Sequence, residues 1–286
     1  YTVTVTAGGT ATVRLSMSEN VMQLGDVVVT ASREKERRVE IPMAIGVIGG
    51  EEIRQVRPAH PSEIMNRIAG VWVNVTGGEG HMTAIRQPIT TDPVYLFLED
   101  GIPSRSTGFY NHNALYEINL PQADRIEVSK GPANALYGSD AIGGVVNVST
   151  RAASKVPEAS LTAEGGRFGF GRTLATLSNT WGRNGLRVDG NFTRTDGWRA
   201  ATDYTREAGS VRWDRELNGN AKLRTLATFS LIDQQTAGSS AISRADYENN
   251  PEANYTPFSL RGVKAYRLSS AYEKSAGRTL YSVTPY

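Results

Sequence analysis

The side chains that could perform chemistry in this chain are few and widely spaced. The histidines, His60, His81 and His112, lie far apart without the spacing of metal ligands. There is no cysteine among the 286 residues, which excludes disulfides, thiolate zinc sites and cysteine nucleophiles. Gly78-Glu79-Gly80 begins a dinucleotide-binding pattern, but residue 83 is threonine instead of the third glycine. Walker A and nucleophile-elbow motifs are also absent from the sequence. We therefore predict no enzyme, no metal site and no cofactor.

Two polar loops, residues 76–82 and 103–113, carry side chains that could contact a small ligand. An arginine beside aromatic rings can hold an anionic, aromatic chelate by charge and stacking. Each of these residues could equally be a solvated or packed loop residue. The candidates for ligand contact are Glu79, His81, Arg105, Phe109, Tyr110 and His112.

A valine-rich segment near the N-terminus has the composition of a partner-binding strand. β-branched residues favour an extended backbone, and such a segment can add to the edge of a partner's sheet through backbone hydrogen bonds. The charged residues 34–38 after it predict a solvated linker. Alternatively, the valines form the first strand of the domain that follows. The segment consists of Asp26, Val27, Val28, Val29, Thr30 and Ala31.

Composition narrows the class of protein. The formal net charge of +2 is nearly balanced, so no strong field favours nucleic acid as a partner. No apolar run approaches the roughly 18 residues of a spanning helix. The chain begins without Met and ends inside a predicted strand, so we expect further residues on both sides. Residues 1–25, with alternating Thr and Val around a Gly pair, predict a hairpin.

Residues 40–153 predict a compact, turn-rich α+β domain. Residues 61–68 read as a short helix capped by Ser62, with Ile64 and Ile68 on one face. Short apolar runs predict strands over residues 41–48, 71–75, 94–98, 125–129 and 145–148. Glycine pairs and Asp-Gly or Gly-Pro steps lie between them and mark turns.

Residues 154–286 predict about seven long strands with two unlike faces. Leu186, Val188 and Phe192 alternate with polar residues along one run, and residues 221–231 repeat this pattern. Short turns alternate with long connections, which is typical of an outer-membrane β-barrel. The alternative is a soluble antiparallel sheet with one solvated face.

Residues 124–148, DRIEVSKGPANALYGSDAIGGVVNV, closely resemble the signature that ends the plug of TonB-dependent outer-membrane receptors. Four further pieces match in the same order. Residues 27–31 resemble the TonB box, residues 64–75 the helix and strand before the "IRG" element, residues 84–86 that element itself, and residues 98–102 its "IDGV" turn. Gln87 departs from the family's usual glycine.

The resemblance implies an α+β plug domain followed by antiparallel transmembrane β-barrel strands, a fragment of a barrel of about 22 strands. Residues 1–25 would end a carboxypeptidase-regulatory-like β domain, 26–39 hold the TonB box and linker, 40–153 form the plug, and 154–286 begin the barrel. It also implies plug charges that pair with the wall, for which Arg187, Asp189, Lys222 and Arg224 are the wall candidates. The implied signature and contact residues are Arg86, Arg125, Glu127, Lys130, Gly131, Tyr137, Gly138, Gly143 and Gly144.

The function implied by the resemblance is energised import across the outer membrane of a Gram-negative cell. The expected partners are the periplasmic protein TonB, outer-membrane lipid and a small cargo, and no nucleic acid. A ferric siderophore is the first expectation for the cargo, with cobalamin second and a peptide or glycan after these. A surface binding or signalling module without transport is the alternative from another class.

Overall fold

The computed structural model describes Gly8, the backbone of residues 27–28 and 36–37, and residues 40–106, 108–109, 112–235 and 241–286. Val27–Val28 (β1) pairs antiparallel with Glu36–Arg37 (β2). Part of the charged run predicted as a solvated linker is therefore a strand, because the extended valines have backbone groups that need partners. The rest of the valine-rich segment and the hairpin predicted for residues 1–25 lie outside the described residues, apart from Gly8.

Residues 40–153, which we call the plug, contain a mixed five-stranded sheet. Its strands are Ile45–Gly49 (β3), Tyr95–Glu99 (β6), Ile102–Pro103 (β7), Ala123–Ser129 (β8) and Gly144–Thr150 (β9), in the spatial order β3-β8-β9-β6-β7. The β6 and β9 strands run parallel. Every residue of β6 is buried, as expected for a nearly continuous apolar run covered on both faces.

Helices and a hairpin pack against this sheet. The helices are Gly50–Val56 (α1), Pro61–Met65 (α2) and Asn134–Tyr137 (α3), with 3-10 turns at Ala114–Glu117 and Leu120–Gln122. The hairpin pairs Val71–Gly77 (β4) with Gly80–Ile85 (β5). One apolar core joins all of these elements except α3 to the sheet and includes Ile53, Ile64, Ile85, Phe97 and Ile126.

The α2 helix begins at Pro61, as predicted, but differs from its prediction in the capping residue and in where it ends. His60, not Ser62, is the N-cap, because its Nδ1 accepts a hydrogen bond from the Ser62 N–H at 3.1 Å. The helix ends at Met65, three residues early. Asn66 there is tied to strand β4, where its Oδ1 accepts from Val73 N at 2.6 Å and its Nδ2 donates to Val73 O at 3.0 Å.

Gly143 permits a close approach in the plug that a larger residue would block. A Cβ built there would lie 2.6 Å from Cε1 of the buried Tyr95 and would also overlap Nε2 of Gln87. The Tyr95 hydroxyl accepts hydrogen bonds from the Ile85 N–H and the Gln87 amide. We therefore expect Gly143→Ala to destabilise this corner by about 1–3 kcal/mol. Faster amide hydrogen exchange at Ile85 would measure it.

Gly49→Ala is the matched control for this prediction. Gly49 also lies in the plug, but a Cβ there would meet nothing within 4 Å. Exchange at Ile85 should stay at the wild-type rate in Gly49→Ala. Equal exchange rates in both variants would show that the contact with Tyr95 is not what requires glycine at position 143.

The wall sheet, residues 158–283, is an antiparallel meander of seven strands in sequence order. Its connections alternate: those after β10, β12 and β14 lie on one rim, and the short turns after β11, β13 and β15 lie on the other. The longest connection contains the helix Arg244–Asn249 (α4). The strands are Glu158–Gly165 (β10), Gly171–Trp181 (β11), Asn184–Thr195 (β12), Tyr204–Glu216 (β13), Ala221–Gln235 (β14), Leu260–Ala276 (β15) and Thr279–Val283 (β16).

The two faces of the wall sheet differ as the sequence predicts. Along β12 the polar residues Arg187, Asp189, Asn191 and Thr193 are buried, while Phe192 is exposed. Polar side chains therefore face the plug and apolar ones face outward, which is the pattern of strands that cross a bilayer around a polar lumen. Within the described residues, the strands form an open sheet, and no helix is long and apolar enough to span a membrane.

Candidate functional site

A buried ion pair joins the plug hairpin to the wall. Nη1 of Arg206 on β13 lies 3.1 Å from Oε2 of Glu79, and its Nη2 donates to Ile118 O at 2.7 Å. The two side chains are only 4% and 1% exposed. Gln234 on β14 adds a hydrogen bond, since its Oε1 accepts from the Glu79 N–H at 2.8 Å. The tip of the hairpin is thus fixed from two neighbouring wall strands.

At a second place, two carboxylates of the plug, Glu99 and Glu117, both contact Arg267 on β15. Nη2 of Arg267 lies 2.8 Å from Glu99 Oε2 and also donates to the Glu117 backbone oxygen at 2.8 Å. Its Nη1 is 3.5 Å from Glu117 Oε2, and Thr228 donates to Glu99 at 3.1 Å. Burial raises the pKa of Glu99 despite the attraction of Arg267. Wall arginines therefore meet plug carboxylates at two places.

Further wall groups bind the plug backbone. Arg172 donates to Pro58 O at 2.7 Å and to Arg57 O at 2.8 Å, and Arg212 donates to Thr150 O at 2.7 Å. In the opposite direction, the Gln122 amide of the plug donates to Ala175 O at 2.8 Å. Charge-assisted bonds to backbone carbonyls hold position with little demand on the sequence. The plug is thus seated on β11, β13, β14 and β15.

The pairing of Arg125 and Glu127 with charges on the wall stays a prediction. These residues share one face of β8 and form an ion pair with each other, with Nε and Oε1 3.2 Å apart. Arg187 pairs with Asp189 on its own strand at 2.8 Å, and Arg224 pairs with Asp214 at 3.5 Å. Lys222 is exposed. Asp189 does contact the plug, because its Oδ1 accepts a hydrogen bond from the Gln122 amide at 3.4 Å. The sequence missed the ion pairs between plug and wall, because their partners are distant in sequence and lie on strands with many similar charges.

The loop at residues 103–113, which we call the ligand loop, is held in place at several of its described residues. Arg105 Nε lies 2.7 Å from Glu117 Oε1, and its Nη groups donate to Asn113 Oδ1 and Tyr116 OH. Asp140 accepts from the Gly108 N–H at 2.9 Å. Phe109 is 59% exposed with the Arg105 guanidinium 5.8 Å from its ring centre, so this loop presents an aromatic face.

Of the four other predicted ligand residues, two are buried away from the ligand loop, one is half-buried and one is not described. Glu79 and His81 are each 1% exposed, which contradicts a role in contacting an external ligand. They are buried because the hairpin tip is inserted between the plug core and the wall. His112 is half-buried, and burial lowers its pKa. Tyr110 lies outside the described residues.

His81 lies in a buried row of rings next to this interface. Its Nδ1 is 3.0 Å from Glu79 O, and its ring meets His60 and Tyr116 edge-on at 5.9 and 5.8 Å between centroids. Burial lowers the pKa of His60 and lowers the pKa of His81 well below its usual value. Both rings are therefore neutral in the seated plug.

Acid should loosen the plug through these histidines. Their pKa values are lower when folded, so the unfolded state binds more protons, and the stability they confer is full above about pH 6.5 and is lost as pH falls below it. Plug protection from protease should decline between pH 7.5 and pH 5. In His81→Gln, which keeps a side-chain donor, protection should decline less steeply with falling pH. If protection declines with pH as steeply in His81→Gln as in the wild type, His81 is not the cause of the decline. Glu99 is present in both proteins, so its titration cannot produce a difference between them.

The remaining signature residues support the plug's own structure. Arg86 has a positive φ of 57°, and its N–H donates to Gly70 O at 2.9 Å. Lys130 Nζ donates to Ala69 O at 2.6 Å. Tyr137 packs on the small cluster around Leu96 and Leu98. Gly131 and Gly138 lie at turns with positive φ. In the described structure these contacts lie within the plug, and a role against the rest of the wall stays a prediction.

The fold and the site define a class of protein: a small α+β domain pinned by buried ion pairs to the polar face of a sheet whose other face is apolar. The chain matches the family described as "TonB-dependent Receptor Plug Domain" over residues 37–145. This match identifies residues 37–145 as a plug domain of the TonB-dependent receptor type. The antiparallel strands that follow agree with the outer-membrane β-barrel architecture of such receptors.

Similar proteins include curated sequences and solved structures. The chain is 29% identical over 185 residues to the vitamin B12 transporter BtuB of Vibrio vulnificus, covering 63% of this chain and 30% of that protein. It is 34% identical over 169 residues to BtuB of Photobacterium profundum, covering 57% and 28%. The chain thus spans less than a third of these relatives.

Solved structures share the fold at lower identity. The pyoverdine outer membrane receptor FpvA from Pseudomonas aeruginosa superposes with a TM-score of 0.72 at 17% identity, covering 90% of this chain and 39% of that chain. The alcaligin outer membrane receptor FauA from Bordetella pertussis gives 0.68 at 15%, covering 90% and 41%. At this identity the likeness supports the fold alone.

Proposed function

We propose that this chain is the plug and first seven wall strands of a TonB-coupled receptor that imports a bulky metal chelate, with a ferric siderophore as first candidate. The observation that carries the proposal is the seating of the plug. Arg206 on the wall holds Glu79 of the plug in a buried contact, and Arg267 holds Glu99 and Glu117 in partly buried ones. A domain fixed to the polar face in this way obstructs the lumen until work is done on it.

That work would reach the plug through the valine-rich segment Asp26–Ala31. The outer membrane has no ATP, so a periplasmic protein of the TonB type would supply energy by mechanical contact. A partner strand that pairs with Val27–Val28 can transmit a pull through backbone hydrogen bonds. In the structure β2 occupies this pairing edge, so the partner would replace or extend the β1–β2 pair.

The ligand loop supports a cargo with a flat, conjugated face. Exposed Phe109 offers a ring for stacking, backed by the Arg105 guanidinium. The charge of Arg105 is balanced by Glu117, so stacking contributes more to recognition here than net charge. Aromatic siderophores fit this chemistry. Cobalamin is the second candidate because the curated relatives named above are vitamin B12 transporters.

Uptake by the full-length receptor tests the proposal. A Gram-negative strain lacking its own receptors would express it and receive radiolabelled ferric catecholate siderophore, cyanocobalamin, or a labelled peptide or glycan, with and without TonB. TonB-dependent accumulation of the ferric siderophore supports the first candidate, and accumulation of cyanocobalamin supports the second. Accumulation of the peptide or glycan alone contradicts the metal-chelate assignment. Binding without accumulation of any cargo would support a non-transporting surface module.

A further inference from the structure

The carboxylate of Glu117 is shared between the ligand loop and the wall. One oxygen, Oε1, is 2.7 Å from Arg105 Nε, and the other, Oε2, is 3.5 Å from Arg267 Nη1. The side chain is nearly buried, at 10% exposure, as is Arg105 at 8%. Glu117 also ends the 3-10 turn Ala114–Glu117, whose backbone oxygen at Glu117 accepts from Arg267. Arg105 thus binds one oxygen of the carboxylate directly, while Arg267 attracts the other oxygen from 3.5 Å and holds the Glu117 backbone through its carbonyl oxygen.

The position of Glu117 also affects the exposed ring of Phe109, because Arg105 lies between them. Arg105 is oriented by Glu117, Asn113 and Tyr116, and its guanidinium lies 5.8 Å from the Phe109 ring centre and 5.3 Å from that of Tyr116. Without Glu117 in place, the buried guanidinium would lose its counter-charge and turn toward water. The loop would then lose the group that backs its aromatic face.

We propose that Glu117 and Arg267 are positioning residues for the ligand loop: the wall, acting through them, fixes Arg105 and presents Phe109 to a cargo with a planar face. The inference rests on the proposed function for the identity of the cargo, but the positioning itself is a property of the free receptor. Residues that share one charge network show coupling between their substitutions, and residues without shared partners do not.

A spin label on the ligand loop measures this positioning directly. The 286 residues contain no cysteine, so Ser106→Cys adds one thiol to them at an exposed site in the loop. Gln55→Cys on α1 gives a second exposed site, far from the network in sequence. The full-length receptor would be purified in detergent, labelled with a nitroxide and measured without cargo and without TonB.

In the Ser106→Cys background we expect Arg267→Met and Glu117→Gln each to speed the label's motion about threefold, the scale of one lost network coupling. Arg105→Met should do the same, and Arg105→Met with Arg267→Met should add little further. Arg267→Lys, which keeps the charge but cannot reach both carboxylates in the same geometry, should fall between. Arg224→Met is the control, because Arg224 pairs with Asp214 on the wall, and it should leave the label unchanged.

Two outcomes would overturn the proposal. One is an unchanged loop label in Arg267→Met while Arg105→Met mobilises it. The other is equal mobilisation at position 55, which would show general loosening of the plug instead of positioning. Failure of all cargo uptake would contradict the proposed function, but the label measurement would still test the positioning. Where a cargo binds, Arg267→Met should weaken its binding. If the Kd is unchanged in this variant and only uptake is slower, that result would count against positioning of the ligand loop by Arg267.

Discussion

Arg206→Met is expected to unseat the plug. The substitution leaves Glu79 buried at 1% exposure without its counter-charge and removes a hydrogen bond to Ile118 O. Removing one partner of a buried ion pair typically costs about 3–5 kcal/mol. At such a cost the hairpin tip would leave the wall for water. Protease cleavage of the plug in the detergent-purified receptor should rise by orders of magnitude while the barrel stays folded.

Two comparisons isolate the ion pair. Glu79→Gln combined with Arg206→Met removes both charges, and it should recover much of the lost protection because no buried charge is left unpaired. Arg224→Met removes a wall arginine of a pair that is partly exposed, worth about 0–1 kcal/mol, and should be near wild type. Equal protease sensitivity in Arg206→Met and Arg224→Met would contradict a special role for the buried pair.

Val28→Pro is expected to abolish uptake while cargo still binds at the cell surface. Proline has no N–H to donate and fits poorly inside a paired strand, so a partner strand could not form a regular ladder on this segment. Val28→Thr keeps the N–H and a β-branched side chain, and should transport at close to the wild-type rate. Binding of labelled cargo at 4 °C and its accumulation at 37 °C separate the two steps. Normal accumulation in Val28→Pro would show that energy enters the plug elsewhere.

Local pattern in the sequence predicted the backbone of this protein well. Alternation along residues 186–194 gave both the strand and the face of each residue, because one face of β12 is buried against the plug and the other is not. The short apolar runs of the plug became β3, β4, β6, β8 and β9 within a few residues. The β5 strand and the α1 helix were not predicted, since GHMTAI and GEEIRQV are too short for a clear period.

The contacts of the site could not be read in the same way. Glu79 and Arg206 are 127 positions apart, and Glu99 and Arg267 are 168 apart. Nothing in the types of these residues distinguishes them from the exposed charges around them, because their burial arises only when the plug meets the wall. For the same reason the glycine-rich turn at residues 76–82, with Glu79 and His81, was predicted to contact a cargo, whereas in the folded protein it is inserted between the plug and the wall.

An engineered disulfide between the plug and the wall tests the seating of the plug most directly. A Cβ built at Gly78 lies 3.6 Å from the Cβ of Gln234 on β14, within the range that a disulfide requires. In full-length receptor carrying Gly78→Cys and Gln234→Cys, oxidation should consume both thiols, stop uptake and leave cargo binding intact, and reduction should restore uptake. Gly78→Cys alone should keep its thiol. Two thiols that stay free under oxidation in the folded double variant would mean that the plug does not rest on this face of the wall.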